Sequence, residues 1–269
     1  MVSIVTIVKN DKQHIEKTMR SVLTQKYLNF EYVIKDGLST DGTSEIIKKM
    51  IEQYPKRKII YVNVKDGGIY DAMNQAVTYC SGNWINFMNS GDEFYNTEVL
   101  EKIFDKDSEY KTYGVLYGDV VVSDIADRAI WAADISMIKR KMPFCHQSCF
   151  VRRELLIQFP FNINYKIAAD YNNILDLYTN GIEFFFYNQI AACFDLMGVS
   201  SKRFADRYRE RVSVLKNHKL YEGTKFTYAV GICYEHIKSI ADHLIPDFAK
   251  GVVRDWYKYN IKQYKRIGK

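Results

Sequence analysis

Within the first ninety residues, four short apolar runs alternate with three stretches whose apolar residues recur every three or four positions, and no other feature constrains the fold as much. The runs are Val2 to Val8, Glu31 to Lys35, Ile59 to Val64 and Trp84 to Met88. They have strand length and are rich in β-branched and aromatic residues. Between them, Asp11 to Thr24 (Ile15, Met19, Val22, Leu23), Thr43 to Gln53 (Ile46, Ile47, Met50) and Ile69 to Cys80 (Ala72, Met73, Ala76, Val77) each carry one apolar stripe, as helices lying on a sheet do. This order predicts an α/β fold with a mainly parallel sheet flanked by helices on both faces. Asp41 or Thr43 reads as the N-cap of the second helix and Gly82 as the C-cap of the third. Ligands of such sheets sit at the carboxyl ends of the strands. Those ends are Lys9-Asn10, Asp36-Gly37, Lys65 to Gly68 and Asn89 to Asp92, so polar and acidic groups gather on one edge.

Beyond Asp92 the pattern loosens. Helices are predicted over Thr97 to Phe104 and Asp170 to Thr179, and strands over Gly114 to Val122, Ser148 to Val151, Glu183 to Asn188 and Ile190 to Asp195. From Gly198 the composition shifts: Arg203 to Leu215 and Lys225 to Leu244 read as helices, followed by interleaved basic and aromatic residues from Arg254 to Arg266. The chain therefore divides into a unit of residues 1–198 and a helical, basic-aromatic C-terminal extension of residues 199–269. The extension suits an anionic membrane surface. Its amphipathic helix has two other uses, packing on the first unit or forming a homodimer contact.

At 269 residues and 47% hydrophobic, the chain can bury a large core. Five cysteines, an odd number scattered through apolar and helical segments, argue against a disulfide framework and for a reducing cytoplasm. Cys145, His146 and Cys149 lack a second ligand pair and read as buried side chains, not as a zinc site. The first nine residues read as a strand, with no basic region of a signal peptide. No run approaches the roughly 20 apolar residues of a membrane span. Contact with the inner face of the plasma membrane would be peripheral, and no nucleic-acid partner is expected.

Several segments carry chemistry. Asn89-Ser90-Gly91-Asp92-Glu93-Phe94 is an acidic tip leaving a buried strand, where a carboxylate can hold a divalent cation and the cation a diphosphate. A Ser-Gly-Asp turn also ends strands for conformational reasons alone. Asp36, at the start of Asp36-Gly37-Leu38-Ser39-Thr40-Asp41-Gly42-Thr43, is placed to accept a hydrogen bond from a base or a ribose, while Asp41 or Ser39 caps the next helix. The segment Asp66 to Asn74 opens the third helix with two glycines, and Asp66 and Asn74 face the same edge. Val8 to Asp11 contains no glycine, which removes the dinucleotide-binding dehydrogenases.

Taken together, Val5-Thr6-Ile7-Val8-Lys9-Asn10, Asp36 to Thr43, Asp66 to Asn74 and Asn89 to Phe94, in that order, resemble glycosyltransferase family 2, in particular bacterial members that build capsule, O-antigen or exopolysaccharide. The resemblance covers about residues 1 to 200. It implies a GT-A fold, a nucleoside-diphosphate sugar donor, most simply a uridine (UDP) one, Mg²⁺ or Mn²⁺, and inversion at the anomeric carbon. It implies Thr6, Asn10 and Asp36 around the nucleoside, Asp66 and Asn74 nearby, and Asp92 on the metal. Asn89 and Gly91 stand where the family often has carboxylates, but one carboxylate suffices for a cation that also takes phosphates and water.

Phe144 to Arg153 and Ile167 to Asn172 are similar to the acceptor half of these enzymes, which implies Asp170 as general base and His146 against acceptor or diphosphate. The physical requirement is a carboxylate set apart from the metal, because the acceptor hydroxyl loses its proton while attacking from the face opposite the leaving group. Gly198 to Arg203, with Lys202 and Arg203, resembles the loop that closes on the diphosphate. The expected function is thus a metal-dependent, hexosyltransferase-like enzyme acting on a saccharide or polyprenyl-linked acceptor in surface polysaccharide synthesis. A sugar nucleotidylyltransferase would need a glycine-rich basic loop after the first strand. A donor-binding but inactive subunit that assists a partner transferase is the rival outside enzymes.

Overall fold

The structure, a computed structural model, describes residues 1–105, 107–123, 128–195, 204–224, 228–233 and 265–266. The alternation of the first ninety residues becomes β1 (Val2–Val8), α1 (Ile15–Leu23), β2 (Phe30–Asp36), α2 (Thr43–Gln53), β3 (Ile59–Asn63), α3 (Ile69–Val77) and β4 (Trp84–Phe87). β1 lies between β2 and β4 with β3 outside β2, and all three pairings are parallel. Period-two side chains divide the apolar residues between two cores: Ile4 and Tyr32 face α1 and α2, whereas Val5 and Val33 face α3.

The second half of the sheet is mixed. β5 (Glu93–Phe94), α4 (Val99–Phe104), β6 (Val115–Ser123), β7 (Arg128–Trp131), β8 (Phe150–Arg152), α5 (Arg153–Gln158), α6 (Ala169–Thr179) and β9 (Phe184–Asp195) follow. β8 runs antiparallel between β4 and β6, β7 pairs antiparallel with β6, and β10 (Lys265–Arg266) with β7. β9 is one strand where two are expected. Asn188 takes φ of 48° and the pairing with β6 shifts register beside it, so the interruption is a bulge and not a turn.

Gly82 serves a different purpose from a helix cap. A Cβ there would lie 2.6 Å from the Ser3 nitrogen and 2.8 Å from the Val2 carbonyl carbon, so glycine permits close approach to β1. Gly82→Ala should cost about 1–3 kcal/mol, roughly 2–10 °C in thermal midpoint by differential scanning calorimetry; an unchanged midpoint would mean that the strand yields freely. At the same end of the sheet the buried Glu31 carboxylate accepts from Ser3 Oγ (2.7 Å) and Ser81 Oγ (2.7 Å) and pairs with Lys58. Burial pulls this carboxyl upward, but the bonds from Lys58, Ser3 and Ser81 outweigh it and hold it at about 2.

Past β9, α7 (Phe204–Asn217) places Val214 and Leu215 in the core that contains α5 and α6. Residues 228–233 are helical, inside the predicted Lys225 to Leu244 helix. The remainder of that helix and the basic-aromatic stretch other than residues 265–266 lie outside the described residues, as do Lys202 and Arg203. Among the described residues no helix is long and apolar enough to cross a membrane.

Candidate active site

The carboxyl ends of β1, β2 and β4 meet through hydrogen-bonded loops. Asp36, at the end of β2, is fully buried. Its Oδ1 accepts from the Ser39 N–H (2.8 Å), and its Oδ2 accepts from Ser44 Oγ (2.5 Å) and Tyr61 Oη (2.9 Å). Burial would raise this carboxyl, yet the bonds from Ser44, Ser39 and Tyr61 leave it below the usual carboxylate range. Asn10, at φ 52°, accepts the Thr40 N–H at Oδ1 (2.8 Å) and donates its own N–H to Ser39 Oγ (2.8 Å). Asp41 accepts from the Thr43 N–H (3.0 Å), but the N-cap position of α2 falls to Gly42, at φ 100°, and not to Asp41 or Thr43 as expected, so Asp41 braces the turn ahead of the helix. Asp66 forms an ion pair with Lys35 (2.8 Å) in which neither side chain is more than 7% exposed.

The acidic tip is a tight turn. The Asp92 N–H donates to the Asn89 carbonyl (3.0 Å), and Gly91 takes φ of 101°, which favours glycine over the carboxylate often found there. The buried Asp92 carboxylate accepts from Gln147 Nε2 (2.6 Å), and its backbone carbonyl accepts from Thr18 Oγ1 (2.7 Å). At the start of the same turn the Asn89 Oδ1 is buried without a hydrogen-bond partner. A buried carboxylate plus an unsatisfied amide oxygen suit a hard divalent cation that draws its other ligands from phosphate and water. Among the described residues no three His, Cys, Asp or Glu side chains converge on one point. Such an ion would therefore rest on Asp92 and Asn89.

Across the β4–β8 pairing lies a second wall. Asn86 of β4 donates through Nδ2 to the carbonyls of Gln147 and Cys149, both at 2.9 Å, fixing the short 3-10 turn His146–Ser148. His146 stacks on Phe87 (centroids 5.5 Å apart) and meets Phe161 edge-on (5.9 Å), and neither ring nitrogen has a partner. Burial lowers its pKa to about 4, so it is a neutral imidazole with an unused donor and an unused acceptor. Phe161 stacks on Tyr70, whose hydroxyl donates to the Ile167 carbonyl (2.7 Å) and reaches Asp170 Oδ1 at 3.3 Å. Asp170, in the first turn of α6, also accepts the Tyr171 N–H (2.7 Å). Its carboxyl is enclosed although the residue as a whole is half-buried, and burial outweighs those bonds and raises it to about 6. Burial, Asp92 and Asp170 all raise the Cys145 thiol, so both carboxylates lie close enough to act on it.

Residues 3–159 match the profile of glycosyl transferase family 2. The chain belongs to that family. It is 30% identical over 181 residues to a "PGL/p-HBAD biosynthesis glycosyltransferase" of Mycobacterium tuberculosis, an alignment covering 67% of this chain and 70% of the relative. Its architecture is similar to that of S. aureus TarS 1-349 in complex with UDP-GlcNAc (TM-score 0.65, 18% identity, 86% of this chain and 70% of that one). It is also similar to the mannosyltransferase PcManGT of Pyrobaculum calidifontis in complex with GDP-Man and Mn²⁺ (TM-score 0.67, 14% identity, 94% and 78%). The transferase has the GT-A fold, a mixed sheet with flanking helices.

Within this family 2 glycosyltransferase, Thr6 and Asn74, like the fully buried Asp36, have their polar atoms bonded inside the protein. Thr6 is fully buried, with its hydroxyl 2.7 Å from that of Tyr32 and donating to the Met88 carbonyl (2.6 Å), a contact internal to the sheet. Asn74 donates to the Phe161 carbonyl (2.8 Å) and accepts the Phe161 N–H (2.9 Å), so its amide clamps α3 to the segment that carries Phe161. Asn10 and Asp36 share Ser39 as a hydrogen-bond partner, and Asp66 reaches the end of the same strand through Lys35, whereas Asp92 and Asp170 both act on the Cys145 thiol, next in sequence to His146. Gln147, which holds Asp92, was not singled out by sequence reasoning. The adjacency of Gln147 to His146 was the only signal.

Proposed function

We propose that the transferase moves a hexose from a uridine-diphosphate sugar to a hydroxyl of a saccharide or lipid-linked saccharide, with inversion, in the synthesis of a bacterial surface polysaccharide. The observation that supports this reading is a pair of carboxylates in unlike settings: Asp92, held by Gln147 in a turn whose Asn89 oxygen is unsatisfied, and Asp170, enclosed with a hydrogen bond from the Tyr171 N–H and raised to about 6. Asp170 takes the proton of the acceptor hydroxyl as its oxygen attacks the anomeric carbon. The bond to the diphosphate breaks on the opposite face and the diphosphate leaves with the electron pair. Asp92 and Asn89 would hold Mg²⁺ or Mn²⁺, which supplies positive charge to the leaving diphosphate. Asn10, Asp36 and Asp66 shape the nucleoside end, with Thr6 and Asn74 contributing through the backbone they fix. Lys202 and Arg203 are proposed as further diphosphate cations.

A panel of nucleotide sugars with and without Mn²⁺, read as thermal stabilisation, tests this. Saturation at 100 times Kd should add about 2.7 kcal/mol, roughly 5–10 °C, for a uridine donor with Mn²⁺. No shift with any nucleotide sugar would end the reading. Slow hydrolysis of the stabilising donor would separate an enzyme from an inactive donor-binding subunit.

We also propose that residues 250–269 bring the transferase to the inner face of the plasma membrane, supported by Trp256, Tyr257, Tyr259 and Tyr264 among basic residues. Co-sedimentation with anionic liposomes should be strong at low salt, weaker at high salt and lost on deletion of residues 250–269. Undiminished binding after that deletion would assign membrane contact elsewhere.

A further inference from the structure

Three consecutive backbone N–H groups just ahead of α6 point at a single side chain from α7. Glu210 accepts from Lys166 (2.9 Å to Oε1, 3.1 Å to Oε2), and its Oε2 also accepts from Ile167 (2.8 Å) and Ala168 (2.9 Å). Asp170 lies two residues further on. The Ile167–Ala168 peptide, whose N–H goes to Glu210, is held from its other side as well, because its carbonyl accepts from Tyr70 Oη, which also contacts Asp170. The segment carrying the Asp170 carboxylate is thus gripped by α7 through its donors and by α3 through an acceptor. Helix α6 has no side-chain cap of its own: Ala168 occupies the N-cap position. A carboxylate supplied from outside the helix satisfies donors that would otherwise be orphaned and stands where the helix dipole favours negative charge.

We propose that Glu210 is a positioning residue for the transfer reaction, fixing the entry to α6 so that Asp170 meets the acceptor hydroxyl, and that turnover therefore depends on a helix lying beyond the matched family segment. This rests on Asp170 acting as the base. The groups facing Asp170 are Tyr70 from α3, Tyr171 from its own helix, Cys145 and Cys149 from the segment before β8, and Glu210 from α7; Arg211 acts on Tyr171. Glu210 adds a negative charge to this surround and so opposes ionisation of Asp170.

Two variants separate positioning from folding. Glu210→Gln keeps a carbonyl acceptor but loses the charge, and Glu210→Ala loses both. With a misplacement of about 1 Å able to cost roughly 10²-fold, Glu210→Ala should lower kcat by about 10- to 100-fold while donor KM stays within about twofold. Glu210→Gln should recover most of that loss, with the acidic limb of its pH–rate profile displaced to lower pH. The inference is overturned if both variants turn over like wild type with an unmoved acidic limb, or if donor KM changes in place of kcat. Should Glu210→Ala fail to fold, the kcat and acidic limb of Glu210→Gln decide alone. Asp170→Asn run in parallel keeps the two ideas apart: full activity in that variant removes the base assignment, whereas a dead Asp170→Asn beside a wild-type Glu210→Gln removes only the role of Glu210.

Discussion

Asp170→Asn is expected to bind nucleotide as tightly as wild type and to turn over about 10²- to 10⁴-fold more slowly. The amide oxygen can still accept from the Tyr171 N–H and the Tyr70 hydroxyl, so the first turn of α6 keeps its bonds and only the proton acceptor is lost. Wild-type activity should rise with pH and reach half its plateau near the carboxyl's value of about 6, since the base works only when ionised. Stability moves the other way. A carboxyl raised from 3.8 to about 6 binds a proton more tightly folded than unfolded, so its contribution is present below pH 4 and is lost as pH climbs through 6. At pH 7 Asp170→Asn should therefore be more stable than wild type by about 1–3 kcal/mol, roughly 2–10 °C in thermal midpoint. A folded Asp170→Asn with near wild-type kcat would move the base to Asp195 or Asp134; of these, Asp134 is exposed and caps a short 3-10 turn.

Asp92→Ala should make uridine-diphosphate binding indifferent to Mn²⁺. The acidic tip offers no second carboxylate at positions 89 or 91 to take over, because an amide and a left-handed glycine stand there. Gln147→Ala leaves the carboxylate and removes its hold, and should weaken the metal-dependent component by about 10- to 100-fold, as loss of an outer-shell partner usually does. Calorimetric titration with Mn²⁺ and with chelator reads both variants. Equal affinity of the wild type under the two conditions would remove the metal assignment of this turn.

The N-terminal half of the fold could be read from the chain because its information is local. Each strand and helix of the first ninety residues is fixed by its own apolar period, and the parallel order follows from connections too long for hairpins. The second half is set by tertiary pairing, so β8 between β4 and β6, and the bulge at Asn188, left little local trace. Side-chain direction was the other blind point. Thr6 and Asn74 have suitable types at suitable places, yet their polar atoms bond to Met88 and Phe161 across 82 and 87 residues of sequence. Glu210 binds a segment more than 40 residues earlier, and no spacing rule would connect the two.

The join between β4 and β8 has a mechanical consequence. Enzymes that bring two substrates together often do so by swinging two bodies about a hinge, but here the strand that ends in the acidic tip is hydrogen-bonded directly to the strand that follows His146, and Asn86 rivets the seam. No hinge can open there without breaking the ladder. Donor and acceptor must therefore exchange through movement of connecting segments over a rigid floor, and the sheets of ligand-free and donor-bound forms should superpose to within about 1 Å.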